Sequence, residues 1–245
     1  MRRFAILLFS VVAHGIFFAT FLYLIAFTGD ISLVPRTVDR GPEAGLLPAL
    51  LTNLALIGLF GLQHSAMARP SFKRVWTRVV PPAMERSVYV LLASLSLVML
   101  FAFWSPIQGS VWDATGTPLA PVLWTVFATG WGIVLLSTFL INHFELFGLH
   151  QAWLNLREKV ARPPELRQPL FYRWVAHPLY SGFFLAFWAT PHMSFGHLLL
   201  ALGMSAYMFI AIPLEERDLT ALFGPAYQKY RSGVGMLIPR FRRPD

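Results

Sequence analysis

The residues best suited to chemistry lie in about the last seventy positions of the chain, in three polar segments. These are HPLYSG from His177, LEERDL from Leu214 and FGPAYQKYR from Phe223. Charged residues beside apolar helices cost free energy unless they are paired or bind a ligand. Together the segments offer carboxylates, cations and aromatic rings, which suit an organic ligand that carries charges of both signs and a ring. We therefore expect a ligand site here.

Spacing within the polar segments indicates that several side chains share a helix face. The pairs three residues apart are Asn142 with Glu145, His177 with Tyr180, Glu215 with Asp218, and Tyr227 with Tyr230. Residues three or four apart on a helix are neighbours, so each pair could point into one cavity. The tyrosine pair follows the turn signal Phe-Gly-Pro at 223–225, which predicts a short amphipathic helix at the membrane interface.

The rest of the chain must position these residues, and its composition is that of a membrane protein. Hydrophobic residues make up 56% of the 245 residues and charged residues only 13%. The apolar residues form blocks at about 4–27, 46–67, 87–104, 121–141, 179–190 and 195–214. Most blocks approach the roughly 20 residues that span a bilayer, and they lack the alternating polarity of barrel strands. We predict an all-α polytopic transmembrane bundle of five to six spans, formed by a single domain over 1–245.

The basic residues predict the orientation of the bundle, because cytoplasmic loops are enriched in Lys and Arg. Six crossings with the N-terminus inside place 18 of the 20 basic residues on the inner side, including Arg242 and Arg243 in the tail, and leave Arg36 and Arg40 outside. Both termini are then cytoplasmic. The net charge of +8 is explained by topology and by contact with anionic lipid, without nucleic-acid binding.

This orientation brings the polar ends of four helices to one membrane face. The residues concerned are Gln63, His64 and Arg69 after the second block; Asn142 and His143 after the fourth; His177 and Tyr180 at the start of the fifth; and Glu215, Glu216 and Arg217 at the end of the sixth. A site assembled from these ends would face the cytoplasm.

The three polar segments, together with a closing Ile238 and Pro239, resemble the signature of the isoprenylcysteine carboxyl methyltransferase family of integral membrane enzymes. Three further segments resemble a bacterial branch of that family that makes dimethyl sulfide from methanethiol. They are GLQHSAMARPSFKR from Gly61, PPAMERSVYVL from Pro81 and NHFELFGLHQAW from Asn142. The resemblance covers most of the chain.

The resemblance implies S-adenosylmethionine as cofactor, bound by the region 142–240. The residues it implies for cofactor binding are His177, Tyr180, Glu215, Glu216, Tyr227 and Tyr230. We add Leu179 and Arg217 as further candidates, Arg217 because a base suits the cofactor carboxylate. One position departs from the family pattern: Ala176 stands where Arg usually precedes the His-Pro pair, with Arg173 one turn earlier. The chain has no glycine-rich dinucleotide loop, so a soluble doubly wound cofactor domain is excluded.

The implied reaction is direct displacement, in which a thiolate sulfur attacks the sulfonium methyl group. A thiol is mostly protonated near neutrality, so the site needs a base or a cationic stabiliser. His64 and His143 are the candidates, and Gln63, Arg69 and Asn142 could orient the sulfur or fix a histidine tautomer. The chain has no Cys, so a thiol-linked enzyme intermediate is excluded. We expect a small thiol substrate, membrane lipid as the surroundings, no metal site and no evident protein partner.

Three other interpretations remain open from the sequence. The acceptor could be a prenylated cysteine or another lipid-soluble thiol. His64 and His143 could instead be the axial ligands of a haem in an electron-transfer bundle. Ala176 also allows a non-catalytic membrane protein that retains only the shell of a methyltransferase.

Overall fold

Five long helices form the body of the protein in a computed structural model that describes residues 1–240. They are α1 (Arg2–Thr28), α2 (Leu46–Ala68), α4 (Pro82–Phe103), α5 (Leu119–Ile141) and α9 (Phe195–Phe223). Each is long and apolar enough to cross a membrane. The predicted all-α polytopic bundle is therefore confirmed, while Arg242 and Arg243 lie outside the described residues.

Shorter elements connect the long helices. They are α3 (Pro70–Trp76), strand β1 (Ser110–Asp113), α6 (His143–Leu146), α7 (Leu149–Leu156), a 3-10 turn (Leu170–Arg173), α8 (Pro178–Trp188), strand β2 (His192–Ser194) and α10 (Pro225–Gly233). Proline occupies the first position of α3, α4, α8 and α10. Its fixed φ suits this position, and its missing N–H would have had no helical partner there. Local sequence thus sets where these four helices begin.

The predicted block 179–190 differs from a full spanning helix. Helix α8 has 11 residues, about 16 Å of rise, and so is too short for a hydrocarbon core of about 30 Å. Strand β2, which follows it, pairs antiparallel with β1, and Ser110 lies opposite Ser194. The chain from α8 to β2 therefore reaches the end of the bundle where α4 leads into α5. Residues 189–191, which belong to no helix or strand, join α8 to β2.

Helix α8 packs very closely on α5. A Cβ atom added to Gly130 of α5 would lie 2.7 Å from the Gly182 carbonyl oxygen and 2.7 Å from the Ala186 nitrogen of α8. Small residues let two helix backbones approach in this way inside membranes. The contact fixes α8, and with it the polar residues at its start, against the bundle.

The hydrophobic core lies between α1, α2, α4, α5, α8 and α9. Its most deeply buried large side chains include Phe27, Leu100 and Leu200. A buried amide adds specificity: Asn53 donates from Nδ2 to the Ser105 carbonyl at 2.8 Å and accepts the Ser105 N–H at 3.0 Å. Both polar groups of the Asn53 side chain are satisfied, as burial requires.

Contacts between loops show which segments lie at each end of the bundle. At one end Arg40 pairs with Asp30 at 2.9 Å, and Ser194 donates a hydrogen bond to Asp39. At the opposite end Arg3 pairs with Glu158, and α10 packs against α9. Residue 2 and residue 233 thus lie at the same end, as the distribution of basic residues predicts. We call this the basic end, because Arg36 and Arg40 are the only Lys or Arg residues within 1–240 whose segments belong to the other end.

Candidate active site

Two adjacent carboxylates near the C-terminal end of α9 face different neighbours. The Tyr180 hydroxyl donates to Glu215 Oε2 at 3.0 Å, whereas His177 Nε2 donates to Glu216 Oε1 at 3.0 Å. Successive residues on a helix point about 100° apart, which follows from 3.6 residues per turn. The Glu215 carboxylate therefore faces Tyr180 in the first turn of α8. The Glu216 carboxylate faces His177, at the start of α8, and α10.

Glu216 accepts from two donors. Besides His177, the Arg231 guanidinium of α10 donates from Nε to the same oxygen, Oε1. The His177 side chain is only 4% exposed, and its backbone is held by a hydrogen bond from its N–H to the Met236 carbonyl at 3.2 Å. The tail after α10 thus positions His177, and α10 itself provides the cation for Glu216.

Two tyrosines of α10 form a buried wall beside these charges. Tyr227 and Tyr230 pack with Ala176 and Val234 in one cluster. The Tyr230 hydroxyl donates to the Tyr172 carbonyl at 2.8 Å, and burial raises the pKa of Tyr230 to about 12. The Tyr227 hydroxyl is buried and has no hydrogen-bond partner within residues 1–240. Burial and then the negative charges of the two α9 carboxylates raise the pKa of Tyr227, so its hydroxyl stays a proton donor.

The departure at Ala176 is accommodated by this packing. Ala176 is 8% exposed and touches the tyrosine wall, whereas Arg173 is exposed. The structure gives the Arg173 guanidinium no hydrogen bond or ion pair within residues 1–240. The cation that pairs with Glu216 is Arg231 of α10.

A cavity of about 560 Å³ opens beside Glu216. Its lining includes Pro213, Glu216, Arg217, Thr220, Tyr227, Gln228, Arg231 and Ser232. Pockets for small ligands have volumes of roughly 300–1,000 Å³ and combine apolar walls with a few polar groups. This cavity offers a carboxylate, two guanidinium groups and an aromatic ring. Such a set can bind an organic molecule with both a cation and an anion.

A second polar group lies around His64 on α2. The Tyr89 hydroxyl is 2.8 Å from His64 Nε2, and the Phe60 ring stacks on His64 with 5.1 Å between ring centroids. Tyr207 of α9 approaches His64 edge-on at 6.2 Å. The Arg86 guanidinium carbon lies 5.1 Å from the centre of the Tyr89 ring. His64 is therefore enclosed by residues of α2, α4 and α9.

Arg69 links this group to the carboxylates. Its Nη1 forms an ion pair with the Asp218 carboxylate at 2.8 Å, and its Nε donates to the Ser65 carbonyl at 3.1 Å. Because Tyr207 and Asp218 bracket Glu215 along α9, His64 and Arg69 lie beside the helix segment that carries Glu215. Gln63 Nε2 contacts the Met67 sulfur at 3.2 Å, and Gln63 Oε1 is buried without a protein partner in the described chain.

Asn142 and His143 have a different setting. Asn142 caps α6: it accepts the Glu145 N–H and donates to the Glu145 carboxylate at 2.6 Å. The His143 ring stacks on Phe139 at 4.2 Å and shares a hydrogen bond of 2.9 Å with the Thr138 hydroxyl. These contacts, and the 5.3 Å ring contact of His143 with His14, place His143 between α1 and α5. The expectation that both residues join His64 around one cavity finds no support in their contacts.

Known proteins that resemble the chain cover nearly all of it. It is 47% identical over 239 residues to the methanethiol S-methyltransferase of Mycobacterium tuberculosis, an alignment that spans 98% of each chain. It is 48% identical to methanethiol S-methyltransferase 1 of Bradyrhizobium diazoefficiens, over 97% of this chain and 83% of the relative. The chain belongs to the methanethiol S-methyltransferase family. A more distant relative is the Nurim homolog of Drosophila pseudoobscura pseudoobscura, 31% identical over 86% of this chain and 89% of that protein. No family model and no solved structure matches the chain.

Packing in this member of the methanethiol S-methyltransferase family argues against the haem alternative. His64 contacts Tyr89, and His143 contacts Phe147 with 4.7 Å between ring centroids. Tyr89 and Phe147 belong to one buried cluster with Met67 and Val90. Packed side chains therefore separate the two histidines, where a bis-histidine haem would need an open slot.

Four residues of the site in this methanethiol S-methyltransferase family member were missed by sequence reasoning: Arg86, Tyr89, Tyr207 and Arg231. Arg86 and Tyr89 are three apart near the start of α4, and Arg231 follows Tyr227 by four, so helical spacing could have suggested them. Tyr207 precedes Glu215 by eight residues, about two turns, but it lies inside an apolar run. No sequence signal distinguishes it from a core aromatic residue.

Proposed function

We propose that this protein transfers a methyl group from S-adenosylmethionine to the sulfur of methanethiol, forming dimethyl sulfide. The observation that carries the proposal is the 47% identity to a methanethiol S-methyltransferase over 98% of both chains. The cavity beside Glu216 supports it, because it contains charges of both signs.

The residues around the α9 carboxylates fit the methyl donor. When bound, S-adenosylmethionine supplies an electrophilic methyl group on a sulfonium cation. Glu215 and Glu216 offer negative charge to its sulfonium and ammonium groups, and Arg217 and Arg231 offer positive charge to its carboxylate. The rings of the tyrosine wall suit its adenine. The buried, unpaired Tyr227 hydroxyl is a donor that a ligand would satisfy.

His177 and Tyr180 hold the two carboxylates in place in this proposal. Each donates one hydrogen bond to a different glutamate, so the negative charges stay apart and directed. Leu179, between them on α8, packs against the main core and keeps the start of this helix fixed. The cofactor-binding part of the chain is thus proposed to lie within 142–240.

His64 is proposed to contact the acceptor sulfur. The thiolate is the reactive form of a thiol, so the site must favour removal of the thiol proton. Arg69 and Arg86 place positive charge beside the His64 group, which stabilises an anionic sulfur. Gln63, adjacent to His64 in the chain, has a buried carbonyl oxygen without a partner in the described residues, which can accept the S–H of the incoming thiol before it loses its proton. Asn142 and His143 are left out of this proposal because their side chains hold α6.

We propose that the basic end faces the cytoplasm of a bacterial inner membrane, since Lys and Arg are retained on that side. The chain has no Cys, so single introduced cysteines report sidedness cleanly. Exposed Lys229→Cys should react with a membrane-impermeant maleimide in inside-out vesicles and not in intact spheroplasts. Thr115→Cys, at the opposite end, should show the reverse. A reversed pattern would place the site outside.

The central experiment follows methyl label from S-adenosylmethionine in the headspace above purified protein in detergent. We expect label in dimethyl sulfide when methanethiol is supplied. Hydrogen sulfide and a prenylated cysteine serve as alternative acceptors. Label found only on the prenylated cysteine would contradict the proposed acceptor, and a Soret band without any methyl transfer would restore the haem interpretation.

A further inference from the structure

The imidazole of His64 has one satisfied nitrogen and one unsatisfied nitrogen. Nε2 lies 2.8 Å from the Tyr89 hydroxyl. Nδ1 is buried and has no hydrogen-bond partner within residues 1–240. A buried polar atom without a partner costs free energy, about 1–3 kcal/mol, unless a ligand or water binds it. The free nitrogen would therefore be stabilised by a polar atom of a ligand or by a water molecule.

The hydrogen bonds of Tyr89 decide what the free nitrogen offers. Tyr89 is 7% exposed, and within the described chain the only hydrogen-bond partner of its hydroxyl is His64. If the hydroxyl accepted a proton from Nε2, its own proton would be left without an acceptor. If it donates to Nε2, the hydroxyl proton and Nε2 are both satisfied, and Nδ1 alone is left without a partner. A neutral imidazole has one donor and one acceptor nitrogen, so Nε2 as acceptor makes Nδ1 an N–H donor.

The charges around this pair favour a neutral imidazole. The Arg86 guanidinium lies over the Tyr89 ring, and its Nε is held by the Leu146 carbonyl at 2.8 Å. Arg69, on the turn after His64, is fixed by Asp218. Nearby positive charge opposes a second proton on the imidazole and stabilises an anion bound to it.

We infer that Tyr89 fixes His64 in the tautomer protonated at Nδ1, and that this N–H donates a hydrogen bond to the acceptor sulfur, which binds as a thiolate. The inference rests on the proposed function. His64 is then a catalytic residue that touches substrate, and Tyr89 is a positioning residue that acts through it. His64 does not serve as the base.

The step balances without transfer of a proton to or from His64. The thiol loses its proton to water as it enters the site as a thiolate. A sulfur lone pair forms the new S–C bond, the bond from the methyl carbon to the donor sulfur breaks, and its electron pair stays on that sulfur. The anion and the sulfonium cation become two neutral sulfides, and the imidazole remains neutral throughout.

Asparagine at position 64 distinguishes a donor from a base, because its amide N–H can occupy a position like that of Nδ1–H but cannot take up a proton. We expect His64→Ala to lower kcat/KM for methanethiol by about a hundredfold, the upper range for a hydrogen bond to a charged group. His64→Asn should recover all but about tenfold of the activity. Equal loss in the two variants would overturn the donor role.

Tyr89→Phe tests the positioning role. Without the hydroxyl, His64 can adopt either neutral tautomer, so we expect kcat/KM to fall about five- to tenfold, as for the loss of one hydrogen bond. The affinity for S-adenosylmethionine, measured by calorimetry, should not change. In the His64→Asn background the same change should have almost no further effect, since an amide has no tautomer to fix. A merely structural tyrosine would cost the same in both backgrounds. Tyr23→Phe is the matched control, because it removes a hydroxyl bonded to the Arg36 carbonyl at the opposite end.

Nitrogen-15 NMR of the labelled histidine ring provides a readout separate from activity. We expect the chemical shift of a protonated nitrogen at Nδ1 and of an unprotonated nitrogen at Nε2 in the wild-type protein, and averaged shifts in Tyr89→Phe. A proton on Nε2 in the wild type would overturn the inference whatever the acceptor proves to be. Absence of methyl transfer by a wild-type protein with the expected tautomer would instead count against the proposed function.

Discussion

Arg69 and Asp218 form an ion pair of 2.8 Å that joins the end of α2 to the last turns of α9. Arg69 also bonds the Ser65 carbonyl one turn back, so the guanidinium braces the helix end that carries His64. Asp218 lies three residues after Glu215 on α9. The pair therefore fixes the spacing between the His64 group and the α9 carboxylates.

Loss of this ion pair should impair both stability and acceptor use. We expect Arg69→Gln to lower the free energy of unfolding by about 1–2 kcal/mol, because the pair is only partly exposed and a charged hydrogen bond is lost. The KM for methanethiol should rise as His64 loses its support. Thermal unfolding and headspace kinetics measure the two effects. Arg74→Gln, which removes an exposed arginine of α3, is the control, and an equal loss there would contradict a specific role for Arg69.

Glu216→Gln should weaken cofactor binding. The change removes the negative charge shared by His177 and Arg231, and it leaves the Arg231 guanidinium unpaired in the cavity wall. We expect the Kd for S-adenosylmethionine to rise by about 10- to 100-fold, as for the loss of a partly buried charge pair. Calorimetry measures this directly. Glu165→Gln changes an exposed carboxylate outside the site and should leave the Kd within twofold. An unchanged Kd in Glu216→Gln would remove this residue from the site.

The contact between α5 and α8 predicts a sharp difference between two glycines of one helix. Gly130→Ala places a Cβ against the α8 backbone, 2.7 Å from the Gly182 oxygen, and overpacking of this kind costs about 1–3 kcal/mol. Gly132→Ala meets nothing within 4 Å and should be neutral or stabilising by about 0.5–1 kcal/mol, because alanine favours a helix. Unfolding in detergent distinguishes the two. Similar stabilities would show that α5 and α8 are not in close backbone contact.

His143 should make stability depend on pH. Burial and then the neighbouring His14 lower the pKa of His143 in the folded protein. The unfolded chain therefore binds a proton more readily, and the protein should lose stability as the pH falls through the ordinary histidine pKa of about 6.5. His143→Phe, which keeps a ring stacked near Phe139, should reduce the loss between pH 7.5 and 5. Identical pH profiles of wild type and variant would contradict this origin. The partly exposed His150 of α7 offers the control His150→Phe.

The site was only partly predictable from sequence, and α9 illustrates why. The Glu215–Glu216 pair at the end of an apolar run indicated a binding residue, but which neighbour each carboxylate meets depends on the rotation of the helix. Hydropathy cannot set that rotation when the helix is apolar on all sides. For the same reason the sequence did not predict that Tyr207, which lies within an apolar stretch, would place its ring against His64.

Asn142 and His143 show a different case, in which sequence suggested a cavity shared with His64 and the side chains contact other residues. They follow an apolar helix, as the sequence predicts. However, Asn142 caps the start of α6, and His143 packs among aromatic rings. A chain that turns at a helix end can direct its polar residues to several neighbours. Only the packing of α1 and α7 against this turn decides which neighbour each side chain meets.

The sequence by itself determined the membrane environment, the long helices, the end of the bundle that collects basic residues, and most of the polar residues at that end. These properties depend on local composition, because the bilayer fixes helix length and backbone hydrogen bonding. Tertiary structure decided that α8 is short, that Arg231 provides the cation at Glu216, and that Tyr89 holds His64. Those contacts join residues far apart in the chain, and their geometry follows from how side chains of different helices pack.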